Sequence, residues 1–217
     1  MNHPEIRHIA ANPSLSGLAE AILNVVYSTA TGTDITLTLL LPWGARERGD
    51  RLPLIVFIQG SAFTFPNIGY ALPQLGWYAQ NGYAVATVTH RSCMDGHPFP
   101  AYLEDVKAAI RSLRSHADEY AVDPARVCAF GTSSGGNTAL LLGLTGDDPA
   151  FKTAEYADQS DSVKLVVECF GPTDLVKILG QINVESLPLD DIFYALSNGR
   201  DMREVLRDMS PVHYLTP

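Results

Sequence analysis

Residues 130–136 read Phe-Gly-Thr-Ser-Ser-Gly-Gly, two adjacent serines among three glycines. They follow the apolar run Arg-Val-Cys-Ala-Phe (126–130) and precede Asn-Thr-Ala-Leu-Leu-Leu-Gly-Leu (137–144). A glycine-rich corner of this kind can cradle phosphate. The stretch, however, matches neither the dinucleotide fingerprint G-x-G-x-x-G nor the phosphate loop G-x-x-x-x-G-K-[ST]. It does satisfy G-x-S-x-G, through Gly131, Ser133 and Gly135. That spacing belongs to a sharp strand-to-helix corner that presents a serine as a nucleophile. The residues two before and two after the serine pack against each other, so only the smallest side chains fit. Register therefore selects Ser133 over Ser134, which has Thr132 two positions before it. The N–H groups that open the following helix would face an oxyanion or alkoxide at this corner.

A serine hydroxyl needs a base, and the base an orienting acid. In hydrolases with this elbow the order is Ser, then Asp or Glu, then His. Asp174 in Gly-Pro-Thr-Asp-Leu and His213 in Ser-Pro-Val-His-Tyr-Leu satisfy that order. Asp174 also sits where an aspartate caps a helix, and no strand precedes His213 to position it. His90 ends a strand but precedes the serine and reads as structural; His97 reads as a loop residue and His116 as a helix-surface one.

The elements that must position these groups are legible from periodicity. Residues 22–29 and 35–42 read as strands joined by the turn residues 31–34, the second with a wetter face at Thr36 and Thr38. Residues 53–60, 84–90 and 163–171 read as strands, the first two nearly all apolar, as in a parallel sheet covered on both faces. Residues 72–82 read as a helix with a glycine stop. In 100–120, Leu103, Val106, Ile110, Leu113 and Ala117 share one helical face, with Asp105, Arg111, Arg114 and Asp118 outside it. Helical fragments follow over 174–181, 190–199 and 201–209. Two strands followed by strand–helix alternation predict an α/β fold, a mostly parallel sheet with an antiparallel edge. Its site is expected at the carboxyl ends of the strands. There, after the strand 53–57, the loop Gln-Gly-Ser-Ala-Phe (59–63) is placed to supply further oxyanion N–H groups.

These pieces resemble an α/β-hydrolase of the esterase/lipase type, and more narrowly the branch of feruloyl and acetyl esterases with its kynurenine-formamidase-like and carboxylesterase relatives. The matching segments are residues 53–63, 82–91, 98–136 and 168–175, of which Phe99 to Gly136 is the most specific. The resemblance implies Ser133 as nucleophile and the backbone N–H groups of Ser61, Ala62 and Ser134 as the oxyanion hole. Gln59-Gly60-Ser61 stands where the family usually has His-Gly-Gly. The resemblance also implies that the acid and the histidine follow residues 210–217. Residues 1–217 are then expected to be the N-terminal two-thirds of a single hydrolase domain, a fragment or a shortened, inactive relative. Residues 175–210 are expected to form a short helical cap, and Phe63 and Phe65 to border a small or medium acyl ester. A non-catalytic hydrolase-fold module that binds a ligand or partner is the competing expectation.

Bulk properties narrow the partners. A net charge of −9 with scattered basic residues argues against nucleic acid. No apolar run is long enough to span a bilayer. Three cysteines do not make a disulfide framework. Cys128 and Cys169 read as buried strand thiols, and Cys93 as a loop residue that could be reactive. A cytoplasmic protein without cofactor or metal is expected.

Overall fold

A computed structural model of the chain describes residue 15 and residues 17–179 and 189–215. Six strands form one sheet: β1 (Ala19–Ser28), β2 (Ile35–Pro42), β3 (Leu52–Ile58), β4 (Ala84–Val88), β5 (Val122–Thr132) and β6 (Leu165–Cys169), in the spatial order β1-β2-β4-β3-β5-β6. β2 pairs antiparallel with both β1 and β4, whereas β3 runs parallel to β4 and β5, and β5 parallel to β6. This is the mostly parallel sheet with an antiparallel edge that the alternation predicts. β3 and β4 end at Ile58 and Val88, two residues short of their apolar runs, because the chain turns out of the sheet at its carboxyl edge.

The short helix α1 (Ala45–Arg48) links β2 to β3. Helices α2 (Leu72–Gln80), α3 (Ala101–Ser115) and α4 (Ser134–Leu144) then follow the parallel strands, and α5 (Leu175–Leu179), α6 (Leu189–Ser197) and α7 (Met202–Asp208) come after β6. On one face Leu37, Leu39, Leu54 and Val56 pack with Leu103, Val106 and Ile110 of α3 and Leu142 of α4. On the other, Leu40, Ile55, Phe57 and Val85 pack with Leu75 and Ala79 of α2. β2 therefore has no wet face, and Thr38 is buried with its leucine neighbours.

Helix α3 departs from its one-faced reading. Asp105, Lys107 and Arg111 are buried beside the expected apolar residues. The segment 145–162 supplies the partners of Lys107 and Arg111, and Arg91 that of Asp105. Lys107 Nζ donates to Asp161 Oδ1 at 2.7 Å and to the Thr145 carbonyl at 2.5 Å. Arg111 donates from Nη1 to Asp161 Oδ2 at 2.8 Å and from Nε to the Glu155 carbonyl at 3.0 Å. Asp105 accepts from the Arg91 backbone N–H at 2.8 Å and from its guanidinium. Buried charges persist only when paired and hydrogen-bonded in this way.

β6 is the outer strand, and its Leu165 and Val167 are exposed. That position explains why Cys128 and Cys169 are half-buried rather than enclosed. Cys93 reverses the opposite way. It is buried in a short helical turn whose N–H donates to the Phe63 carbonyl at 3.2 Å, and burial pushes its thiol up to about 11.

Candidate active site

The corner between β5 and α4 has the geometry that the glycine spacing requires. A Cβ on Gly131 would lie 2.0 Å from the Gly135 carbonyl oxygen, and one on Gly135 would lie 2.1 Å from the carbonyl oxygen of Ile58. Both neighbours are backbone atoms that cannot give way. Between them Ser133 adopts φ 53° and ψ −126°, a conformation that L-residues rarely hold. The elbow is fixed on both sides: Ser133 N–H donates to the Cys169 carbonyl of β6 at 2.9 Å, and Asn137 N–H donates to the Ser133 carbonyl at 3.1 Å. Ser133 is exposed and Ser134 is buried, as the register argument requires.

The loop after β3 lies against this corner. A Cβ on Gly60 would come within 2.8 Å of Ser133 Cβ and 2.6 Å of the Thr132 carbonyl oxygen. Gly60 N–H donates to Thr132 Oγ1 at 3.2 Å and Ser61 N–H to Ser134 Oγ at 2.9 Å. The expected donor at Ser61 is thus already engaged. Ala62 N–H has no acceptor among the described residues, and Ser134 N–H is the first of helix α4, where no carbonyl lies one turn earlier. Ala62 and Phe63 both have positive φ, 52° and 63°, which turns the loop sharply back toward the elbow.

Ser133 and Ala62 border two cavities. The larger, about 580 Å³, is lined by Gln59, Tyr70, Gln74, Thr132 and Phe170 among others. The smaller, about 200 Å³, is almost wholly apolar, with Phe63, Leu175, Ile178, Ile192 and Phe193 in its wall. Phe63 thus lines a cavity that Ser133 also borders, whereas Phe65 lines a separate cavity with His90 and His97. Gln59, Tyr70, Gln74 and Phe170 carry no motif, and only their placement at strand and helix ends brings them to the cleft. Gln59 Oε1 is buried there without a partner among the described residues.

Among the described residues no His, Asp or Glu lines either cavity. Asp174 Oδ1 accepts from Lys177 N–H at 2.9 Å, so this carboxylate caps α5. His213 lies in the turn 211–214 and lines another cavity with Glu204, Arg207 and Asp208. The order Ser133, Asp174, His213 therefore does not correspond to an assembled triad. His90 is buried with Nδ1 2.9 Å from the Arg91 carbonyl, and burial lowers its proton affinity. His116 ends α3, with Nδ1 2.8 Å from the Ser112 carbonyl.

Comparison with known proteins identifies esterase relatives and a family. Relatives include a probable carboxylic ester hydrolase, LipM, of Mycobacterium tuberculosis, 26% identical over 76% of this chain and 38% of its own. Another is Esterase LipC of the same organism, 32% identical over 56% of this chain and 30% of its own. The chain spans roughly a third of the length of the curated relatives it matches. A truncated form of a carbohydrate esterase from gut microbiota superposes with a TM-score of 0.71 at 26% identity, covering 94% of this chain and 75% of that one. A butyrate-bound esterase of Thermogutta terrifontis, Est2, gives 0.69 at 25% identity, covering 93% and 69%. The BD-FAE family model matches residues 40–217. With the serine elbow, the adjoining loop and this match together, the chain belongs to the BD-FAE family and has the α/β-hydrolase fold.

Proposed function

We propose that Ser133 is the nucleophile of a carboxylic-ester hydrolase that works through an acyl-enzyme. The observation that carries this reading is the exposed, strained Ser133 held between Gly131 and Gly135, with Ala62 and Ser134 lining the same cavity. Ser133 Oγ attacks the ester carbonyl carbon and yields its proton to a base. The carbonyl oxygen takes the negative charge and is held by the backbone N–H groups. Collapse breaks the bond to the alcohol oxygen, which takes a proton as it leaves, and water then hydrolyses the acyl-serine.

The apolar cavity of about 200 Å³ suits a small or medium acyl group. Leu175, Ile178, Ile192 and Phe193 close it from α5 and α6, which supports the reading of 175–210 as a short helical cap on a single domain; residues 180–188 lie outside the described residues. Among the described residues no helix is long and apolar enough to cross a membrane. The proposed partner is a small-molecule ester rather than nucleic acid, and three unpaired cysteines fit a reducing, cytoplasmic setting.

A fluorophosphonate probe followed by peptide mapping tests the nucleophile: labelling at Ser133 that disappears in Ser133→Ala supports it, and equal labelling of the variant rejects it. The competing reading, a non-catalytic module of the same fold, is favoured by the lack of an acidic or histidine side chain among the described residues of either cavity wall. Cleavage of p-nitrophenyl acetate well above the Ser133→Ala control excludes that reading.

A further inference from the structure

Two hydroxyls flank the nucleophile in sequence, and both hold the same loop. The parallel ladder between β3 and β5 ends at the pair Ile58–Gly131. Beyond it, Gly60 N–H donates to Thr132 Oγ1 at 3.2 Å and Ser61 N–H donates to Ser134 Oγ at 2.9 Å. We propose that Thr132 and Ser134 are positioning residues whose hydroxyls clamp the 60–62 loop onto the elbow and thereby decide which backbone N–H groups face Ser133 Oγ.

Within residues 59–62 little else holds the loop, and its far end is anchored at buried Phe63, whose carbonyl accepts from Cys93 N–H at 3.2 Å. Gln59 Nε2 only approaches the Gly60 carbonyl at 3.5 Å, and Gln59 Oε1 has no partner among the described residues. Backbone packing brings Gly60 against Ser133, but packing alone does not set the rotation of the next peptide planes. The two side-chain acceptors do, taking over from the strand carbonyls where the ladder stops. Ser134 is 5% exposed, so water competes poorly for its oxygen. Ser61 then turns its own hydroxyl to the Thr64 carbonyl, and Thr64 Oγ1 returns to the Ser61 carbonyl, both at 2.6 Å. This closed ring carries Ala62 and Phe63 in positive φ. Ser61 N–H is thereby withdrawn from the oxyanion, which is left to Ala62 N–H and Ser134 N–H.

The clamp is independent of the chemistry, but its catalytic consequence rests on Ser133 being the nucleophile of an ester hydrolase. Amide hydrogen exchange of the ¹⁵N-labelled 217-residue chain tests the clamp directly. Ser134→Ala should speed exchange at the Ser61 amide about fivefold or more, and Thr132→Val should do so at Gly60, each leaving the α4 amides unchanged. Ser134→Thr and Thr132→Ser, which keep the hydroxyls, should restore protection. Unchanged exchange at Ser61 in Ser134→Ala, or equal acceleration throughout β3 and α4, overturns the proposal. With p-nitrophenyl butyrate, Ser134→Ala should lower kcat about fivefold or more while KM stays within about twofold. A rise in kcat would show that the hydroxyl blocks a donor and would also overturn it. If the unaltered chain fails to turn over ester, that result counts against the hydrolase reading, and amide exchange still decides the clamp.

Discussion

Gly131 and Gly135 meet backbone to backbone across the elbow: a Cβ on the first would stand 2.0 Å from the carbonyl oxygen of the second. The contact lets β5 turn straight into α4 and leaves Ser133 at the apex. Neither atom belongs to a flexible side chain, so a methyl group forces strand and helix apart. Gly131→Ala and Gly135→Ala should each destabilise the chain by about 3 kcal/mol or more, at or beyond the usual range for overpacking. Gly76, in α2, has nothing within 4 Å of its Cβ position. Gly76→Ala should therefore stabilise by about 0.5–1 kcal/mol. Urea titrations of the three variants check the contrast.

Ser133 at φ 53° and ψ −126° holds backbone strain at the reacting position. Glycine reaches this conformation without a Cβ penalty. Ser133→Gly should abolish probe labelling while raising stability by about 1 kcal/mol, the strain relieved less the added chain entropy. Ser133→Ala keeps the Cβ and should leave stability nearly unchanged. A Ser133→Gly variant less stable than Ser133→Ala would show that the apex is unstrained.

The elbow was legible because sterics tie it to a local pattern: two glycines, a serine and the strand and helix around them all lie between Val122 and Leu144. The features that escaped depend on distant segments. Arg111 lies outside the apolar stripe of α3, and nothing nearby indicates that Asp161, fifty residues on, folds over it. Cys93 has polar neighbours in sequence, yet its turn tucks beneath the Phe63 carbonyl. Phe63 and Phe65 look equivalent until the positive φ at Ala62 and Phe63 turns the chain and sends them to different cavities. Asp174 and His213 show the reverse limit: sequence order admits them as partners of Ser133, while local structure commits one to capping α5 and places the other in a separate cavity.

Asp161 is the shared anion of two fully buried cations, 2.7 Å from Lys107 Nζ and 2.8 Å from Arg111 Nη1. Asp161→Asn keeps the volume but leaves both cations without a counter-charge, and should cost about 3–5 kcal/mol. Asp118, paired with Arg51 but almost fully exposed, is the control, and Asp118→Asn should have no measurable effect. Chemical denaturation at pH 7 distinguishes the two. Equal effects would mean that the buried cluster contributes no more than a surface pair.

The Cys93 thiol gives the clearest pH dependence. Burial holds it neutral up to about 11, whereas an unfolded cysteine ionises near 8.5. Below pH 8.5 the thiol is protonated in both states, and its preference for the folded environment is fully retained. Between about 8.5 and 11 the unfolded chain loses this proton and the folded chain keeps it, so stability falls as pH rises. Buried Tyr27 and Tyr102, raised above the ordinary tyrosine value, add to the same slope at the alkaline end. The cysteine's share is therefore the difference between the native chain and Cys93→Ala, measured by urea titration at pH 8 and pH 10. The native chain should lose more stability over that interval than the variant. At pH 8, a thiol reagent should modify half-buried Cys128 and Cys169 before Cys93. Modification of Cys93 first, with no difference in the pH slopes, would place its thiol in solvent rather than beneath the Phe63 loop.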